Sequence, residues 1–251
     1  MSTRRGIGAV IGVVALLGVI GVLGVLGVVA IIGTISVDPI EFDAVGGDTA
    51  PRVEVASPAA APMRADGSVD TVWLEDVAQE TGIPERALAA YAAADARARA
   101  SGCEVGWNTL AGIGWVESHH GTLQGGSIDA DGVARPHIIG IALDGTNETM
   151  EIPDTDGGLL DGDAEWDRAV GPMQFIPETW SIWAVDAAGD GVADPHSIDA
   201  AAATAAAYLC RLDGTLAEGE QWIRAIRSYN NTFDYQVRVA TAAERYAAAG
   251  V

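Results

Sequence analysis

The chain has 251 residues, with 35 acidic against 14 basic side chains and a formal net charge of −21. That length holds one ordinary domain with extensions, or two small ones. The acidity argues against nucleic acid as a partner, because such binding relies on basic patches; it is otherwise a solubility device.

Residues 6–35 carry no charge and are dominated by Val, Ile, Leu and Gly. The run exceeds the roughly 20 residues that cross a bilayer. Arg4 and Arg5 precede it, and Asp38, Glu41 and Asp43 follow. This predicts a single-pass anchor over residues 1–35 in the cell membrane, with the remainder on the extracytoplasmic side. A cleaved signal peptide is the competing reading. Its apolar core is usually about 7–15 residues long and ends in a small-x-small site, and no Ala-x-Ala follows closely here. Gly18, Gly21, Gly24 and Gly27 suit close helix approach, though glycine is common in membrane spans. Residues 36–68, rich in Pro, Ala, Gly and Asp, read as a flexible linker.

The domain is expected over residues 69–251, long enough for a proper core. Asp70 caps a first helix carrying Val72, Trp73, Val77 and Ala78. Pro84 opens an Ala-rich helix over 85–100. Residues 108–120 form another, stopped by Gly121. Residues 121–170 are Gly/Asp-rich and irregular, and loops that long usually line sites. Pro177 starts a turn through Trp180 and Trp183, and Ser197 or Asp199 caps an Ala-rich helix to Cys210. Helices over 221–229 and 235–249 complete a mainly α fold, since no stretch alternates long enough for a substantial sheet. Outside the cytoplasm, Cys103 and Cys210 read as one disulfide, with two buried thiols as the alternative. Two cysteines are too few soft ligands for a zinc site.

Within residues 108–120, Leu110, Ile113, Gly114 and Glu117 share one face. An apolar stripe that ends in a carboxylate raises that carboxylate's pKa, as a proton donor requires. On periodicity alone, an exposed or Arg-paired Glu at a helix end is the favoured reading of the pattern.

Three motifs add weight. Gly-Trp-Val-Glu-Ser-His-His-Gly at 114–121 resembles the Glu-Ser motif of lytic transglycosylases with a lysozyme-like, SLT-type domain. Ala-Val-Gly-Pro-Met-Gln-Phe-Ile-Pro-Glu-Thr-Trp at 169–180 resembles their Gly-x-Met-Gln turn, and Ser-Tyr-Asn at 228–230 their aromatic–Asn pair. The nearest resemblance is to the membrane-bound lytic murein transglycosylase B family, over about residues 83–249.

The resemblance implies a lysozyme-like helical domain that cleaves the MurNAc–GlcNAc bond of peptidoglycan glycan strands. Glu117 is then the single acid/base. Ser118, Gln174, Tyr229 and Asn230 are substrate-side residues, Tyr229 hydrogen-bonding the Glu117 carboxyl and Asn230 supporting it. Ordinary glycosidases need two carboxylates; here the substrate's acetamido group and C6 hydroxyl replace the second. A hydrolytic muramidase and a non-catalytic peptidoglycan-binding module are the rival readings. Met173, Phe175, Trp180 and Trp107 are expected in the core, as is Trp115, and Ser118 and Asn230 also suit capping.

No cofactor is required by this chemistry. Asp186, Asp190, Val192 and Asp194 match positions of a degenerate calcium loop that has Ala188 and Ser197 where ligands are usual. Asp199 is the residue placed to compensate were calcium bound, and a solvated Asp-Gly turn is the default reading. A second acidic run, Asp154, Asp156, Asp161 and Asp163, reads as a solvated turn or substrate rim. Glu117 and His120 make a lone Glu-x-x-His, too little for a di-metal site.

Overall fold

The computed structural model describes residues 55–147, 149–212 and 215–250. The expected anchor and most of the linker lie outside these residues; among the described residues no helix is long and apolar enough to cross a membrane. Seven α-helices dominate the described residues: α1 (Thr71–Thr81), α2 (Glu85–Ala100), α3 (Trp107–Ser118), α4 (Pro177–Trp183), α5 (Ile198–Leu209), α6 (Gly219–Tyr229) and α7 (Phe233–Ala249). The architecture is consistent with a lysozyme-like SLT domain.

The helix ends follow from local chemistry. Asp70 accepts hydrogen bonds from the N–H groups of Val72 and Trp73, and Gly82 closes α1 in the left-handed region. Ser197, rather than Asp199, caps α5, and Thr232 caps α7. Both α6 and α7 begin two residues earlier than the apolar pattern indicates.

α3 is the central helix. Every residue from Trp107 to Gly114 is buried, so this helix is enclosed all round instead of presenting one stripe to a core. Small residues make that possible. A Cβ at Gly112 would crowd the α7 backbone at Val239 and Ala243, and one at Gly114 would overlap the Tyr91 hydroxyl of α2. The Ala-rich faces of α2 and α5 pack on each other. Their C-terminal ends are joined by the Cys103–Cys210 disulfide, with Cα atoms 6.0 Å apart.

Part of the expected linker lies on the domain. Trp107 N–H donates to Ala59 O at 3.1 Å, and Asn108 Oδ1 accepts from Ala59 N–H at 2.8 Å. Val55, Ala59 and Ala61 pack against the core. The buried Asn108 amide is the physical reason, since it needs partners that this segment supplies.

Between α3 and α4 the chain forms two small antiparallel ladders: β1 (Ser127–Ile128) with β2 (Ala134–Arg135), and β3 (Ile139–Ala142) with β4 (Arg168–Val170). The acidic run holds the rest together. Asp154 accepts from the N–H groups of Asp156, Gly157 and Gly158, Asp156 from Leu159 and Leu160, and Asp163 from Glu165 and Trp166. Asp161 binds Arg168 N–H at 2.6 Å, and Asp163 forms an ion pair with Arg168. These carboxylates replace backbone partners that a regular element would provide.

Candidate active site

α3 ends sooner than its sequence pattern indicates. Ser118 is its last residue, and His119, His120 and Gly121 follow with φ of 49°, 59° and 82°. His119 N–H bonds to Trp115 O and His120 N–H to Gly114 O, a tight C-terminal cap usually built on glycine. Side chains offset the strain of using histidine. His119 stacks on Trp115 with ring centroids 4.1 Å apart. His120 is buried between two tyrosines, Nδ1 3.2 Å from Tyr91 Oη and Nε2 2.9 Å from Tyr246 Oη. Desolvation brings its pKa down to about 3, so it is neutral.

This cap fixes Glu117, which is 5% exposed. Burial pushes its carboxyl up to about 8, despite the opposing hydrogen bond from Tyr235 and the positive charge of Arg238. The donor is Tyr235 Oη, 2.6 Å from Glu117 Oε1. The expected partner, Tyr229, does not make this bond. Its hydroxyl instead donates to Met173 O at 2.8 Å, and its ring lies parallel to that of Tyr235 with centroids 6.4 Å apart. The reason is geometric. Tyr229 ends α6 beside the 171–174 turn, whereas Tyr235 lies in the first turns of α7, the helix packed along α3. Tyr235 lies five residues beyond the motif that carried the resemblance, and only the register of α7 against α3 singles it out.

The other predicted residues converge on the turn at 171–174. Ser118 Oγ donates to Pro172 O at 2.6 Å and accepts from Gly121 N–H at 2.8 Å, so its hydroxyl ties the end of α3 to that turn. Gln174 has φ of 49° and curls its amide back on its own loop, donating to Gly171 O at 2.9 Å. Its Oε1 is buried and accepts no hydrogen bond among the described residues. Gly171 has φ of 77°, and a Cβ there would overlap Pro195 O. Asn230 Oδ1 accepts from the N–H and hydroxyl of Thr232, each at 3.0 Å, and so shapes the α6–α7 corner that delivers Tyr235. Met173, Phe175, Trp180 and Trp107 are core residues, while Trp115 is half-buried. The three sequence motifs therefore meet: Ser118 and Tyr229 bind adjacent carbonyls of the same turn, and Tyr235 joins α7 to Glu117.

The residues of the calcium-like loop turn inward on their own backbone. Asp186 accepts from the N–H groups of Gly189 and Gly191, Asp190 from Val192 and Asp194 from His196. Val192 is exposed, and Asp199 forms an ion pair with Arg86. Among the described residues, no group of three or more His, Cys, Asp or Glu side chains is placed to hold a metal ion.

No curated protein and no solved structure matches the chain. Residues 156–251 match the family model described as Transglycosylase SLT domain. That span contains Gln174, Tyr229, Asn230 and Tyr235 and begins after Glu117, and it supports a lytic transglycosylase SLT-type domain.

Proposed function

We propose that the chain is a lytic transglycosylase that cleaves the MurNAc–GlcNAc bond with Glu117 as its single acid/base, releasing 1,6-anhydro-MurNAc ends. The observation that carries this reading is a carboxyl group buried at the end of α3, still protonated near neutral pH and held by Tyr235. The protonated Glu117 donates to the bridging oxygen as the bond to the MurNAc anomeric carbon breaks. The acetamido carbonyl oxygen attacks that carbon and forms a cyclic intermediate. Glu117, now a carboxylate, takes the proton of the C6 hydroxyl as its oxygen displaces the acetamido group. The carboxyl ends protonated and no water is consumed. Gln174 Oε1, an acceptor without a donor among the described residues, suits the acetamido N–H of the sugar. Ser118, Tyr229 and Asn230 act through the backbone they bind, as positioning residues. The apolar run at 6–35 supports membrane attachment, with the domain on the wall side.

Product analysis tests the reading. Purified protein on sacculi, with and without calcium, should release chains with anhydro-MurNAc ends, lighter by one water than hydrolysed ends. Glu117→Gln should slow release by about 10²–10⁴-fold, the usual contribution of a positioned acid/base. Reducing ends alone would make the protein a muramidase, and equal release by the variant would remove Glu117 from the chemistry.

A further inference from the structure

We propose that the groove between α3 and α7 beside Glu117 is a subsite for a carboxylate carried by the glycan substrate. The inference rests on the peptidoglycan reading above and names a contact that reading leaves out. The groove, of about 250 Å³, is lined by Trp115, Val237, Arg238, Thr241, Ala242 and Arg245. Arg238, Thr241 and Arg245 stand at i, i+3 and i+7 of α7, so two guanidinium groups and a hydroxyl form one row of donors. The row begins one turn after Tyr235, whose hydroxyl holds Glu117.

The groove places two arginines side by side on one helix face. All 14 basic residues are arginines in a chain of net charge −21. Arg64, Arg86, Arg99, Arg135 and Arg168 each form an ion pair with an Asp or Glu. Neither Arg238 nor Arg245 has a carboxylate within 4.0 Å among the described residues. Arg245 is nevertheless held in place: it donates to Tyr246 Oη at 2.8 Å and lies 5.4 Å above the Trp115 ring. A fixed guanidinium loses little freedom when it receives a carboxylate in a two-pronged bond. In a chain of net charge −21 this row gives an anionic substituent a place to dock next to the residue that holds Glu117. Each muramyl unit carries such a group, either the lactyl carboxylate or a carboxylate of the attached peptide.

The test is direct binding to the full-chain Glu117→Gln protein, whose turnover is slowed enough for the ligand to persist through the measurement. Three soluble oligosaccharides of equal length serve as probes: a peptide-bearing muramyl chain, the same chain stripped to its free lactyl carboxylate, and a neutral N-acetylglucosamine chain. Adding Arg238→Gln and Arg245→Gln should weaken a carboxylated probe by about tenfold, as loss of a charge-assisted bond would, and leave the neutral probe unchanged. Loss confined to the peptide-bearing chain assigns the contact to the peptide; loss confined to the stripped chain assigns it to the lactyl group. Thr241→Glu, which adds a negative charge at an exposed position in the row, should reproduce the selective loss even if the arginine variant folds poorly. Equal binding before and after, equal loss for all three probes, or no preference of the parent for carboxylated probes would each overturn the subsite. These results leave the anhydro product of the wild-type protein untouched, and that product alone decides the reaction.

Discussion

Replacing Glu117 with Gln should slow turnover sharply and strengthen the fold. The carboxyl has a pKa of about 8 in the folded protein against a reference value of 4.5. A group whose pKa is raised by folding stabilises the native state fully below its unfolded value, and that support is lost as pH rises toward the folded value. At pH 7 the unfolded chain ionises Glu117 and the folded chain does not. The difference of 2.5 pH units corresponds to about 3 kcal/mol in favour of unfolding. Gln keeps the shape and the acceptor for the Tyr235 hydroxyl but has no proton to release. Glu117→Gln should therefore be more stable than the parent by about 3 kcal/mol at pH 7, or about 6–12 °C in Tm for a domain of this size. The advantage should shrink to nothing near pH 4. Urea unfolding of both proteins from pH 4 to pH 8 measures the difference. A constant gap across that range, or none at pH 7, would show that the folded carboxyl titrates as it does in water, and the proposed proton donor would be lost with it.

The two tyrosines should separate cleanly. Tyr235→Phe removes a hydrogen bond that favours the carboxylate, so the basic limb of the pH–rate profile should move up and the rate fall; Tyr229→Phe should leave that limb in place and cost about 1–3 kcal/mol by orphaning Met173 O. His120, neutral in the fold with a pKa near 3, supports the native state fully above pH 6.5 and loses about 1.4 kcal/mol of that support per pH unit below it. Acid unfolding of the wild type should accordingly be steeper than that of His120→Gln. Reducing the Cys103–Cys210 bridge, which spans 107 residues, should lower the unfolding free energy by about 4–5 kcal/mol in a denaturant titration. Gly114→Ala should destabilise the domain and slow catalysis together, because the added methyl displaces Tyr91 and with it the support of His120; unchanged activity would mean that this support does not position Glu117.

Local signals carried much of the fold. Asp70, Pro84 and Pro177 marked helix starts that the structure keeps, because caps and proline act through the nearest backbone groups. Cys103 and Cys210 were legible as a pair for a different reason, the redox setting expected outside the cytoplasm. Glu117 stood out as a carboxylate closing an apolar stretch, although its burial comes from helices packed on every side of α3, which no one-face pattern encodes. The partner of Glu117 was not legible in the same way. Tyr229 and Tyr235 are both buried tyrosines of the C-terminal helices, and only the close approach of α7 at Gly112 decides which hydroxyl reaches the carboxyl. The docked segment before α1 also escaped a reading by composition. Its Pro and Ala residues resemble a spacer, and the partner that holds it, the amide of Asn108, lies about fifty positions away.

The stretch between Asp154 and Arg168 satisfies its amide groups with its own aspartates, so its shape owes little to neighbouring helices. Changes of length there would meet mainly the slow logarithmic penalty of a longer surface loop. The turn at 171–174 is different, since the ends of α3 and α6 both hang from its carbonyls. Changes of length or sequence are therefore expected to be tolerated in the self-braced stretch, while changes in the turn would be felt at both helix ends and so at Glu117.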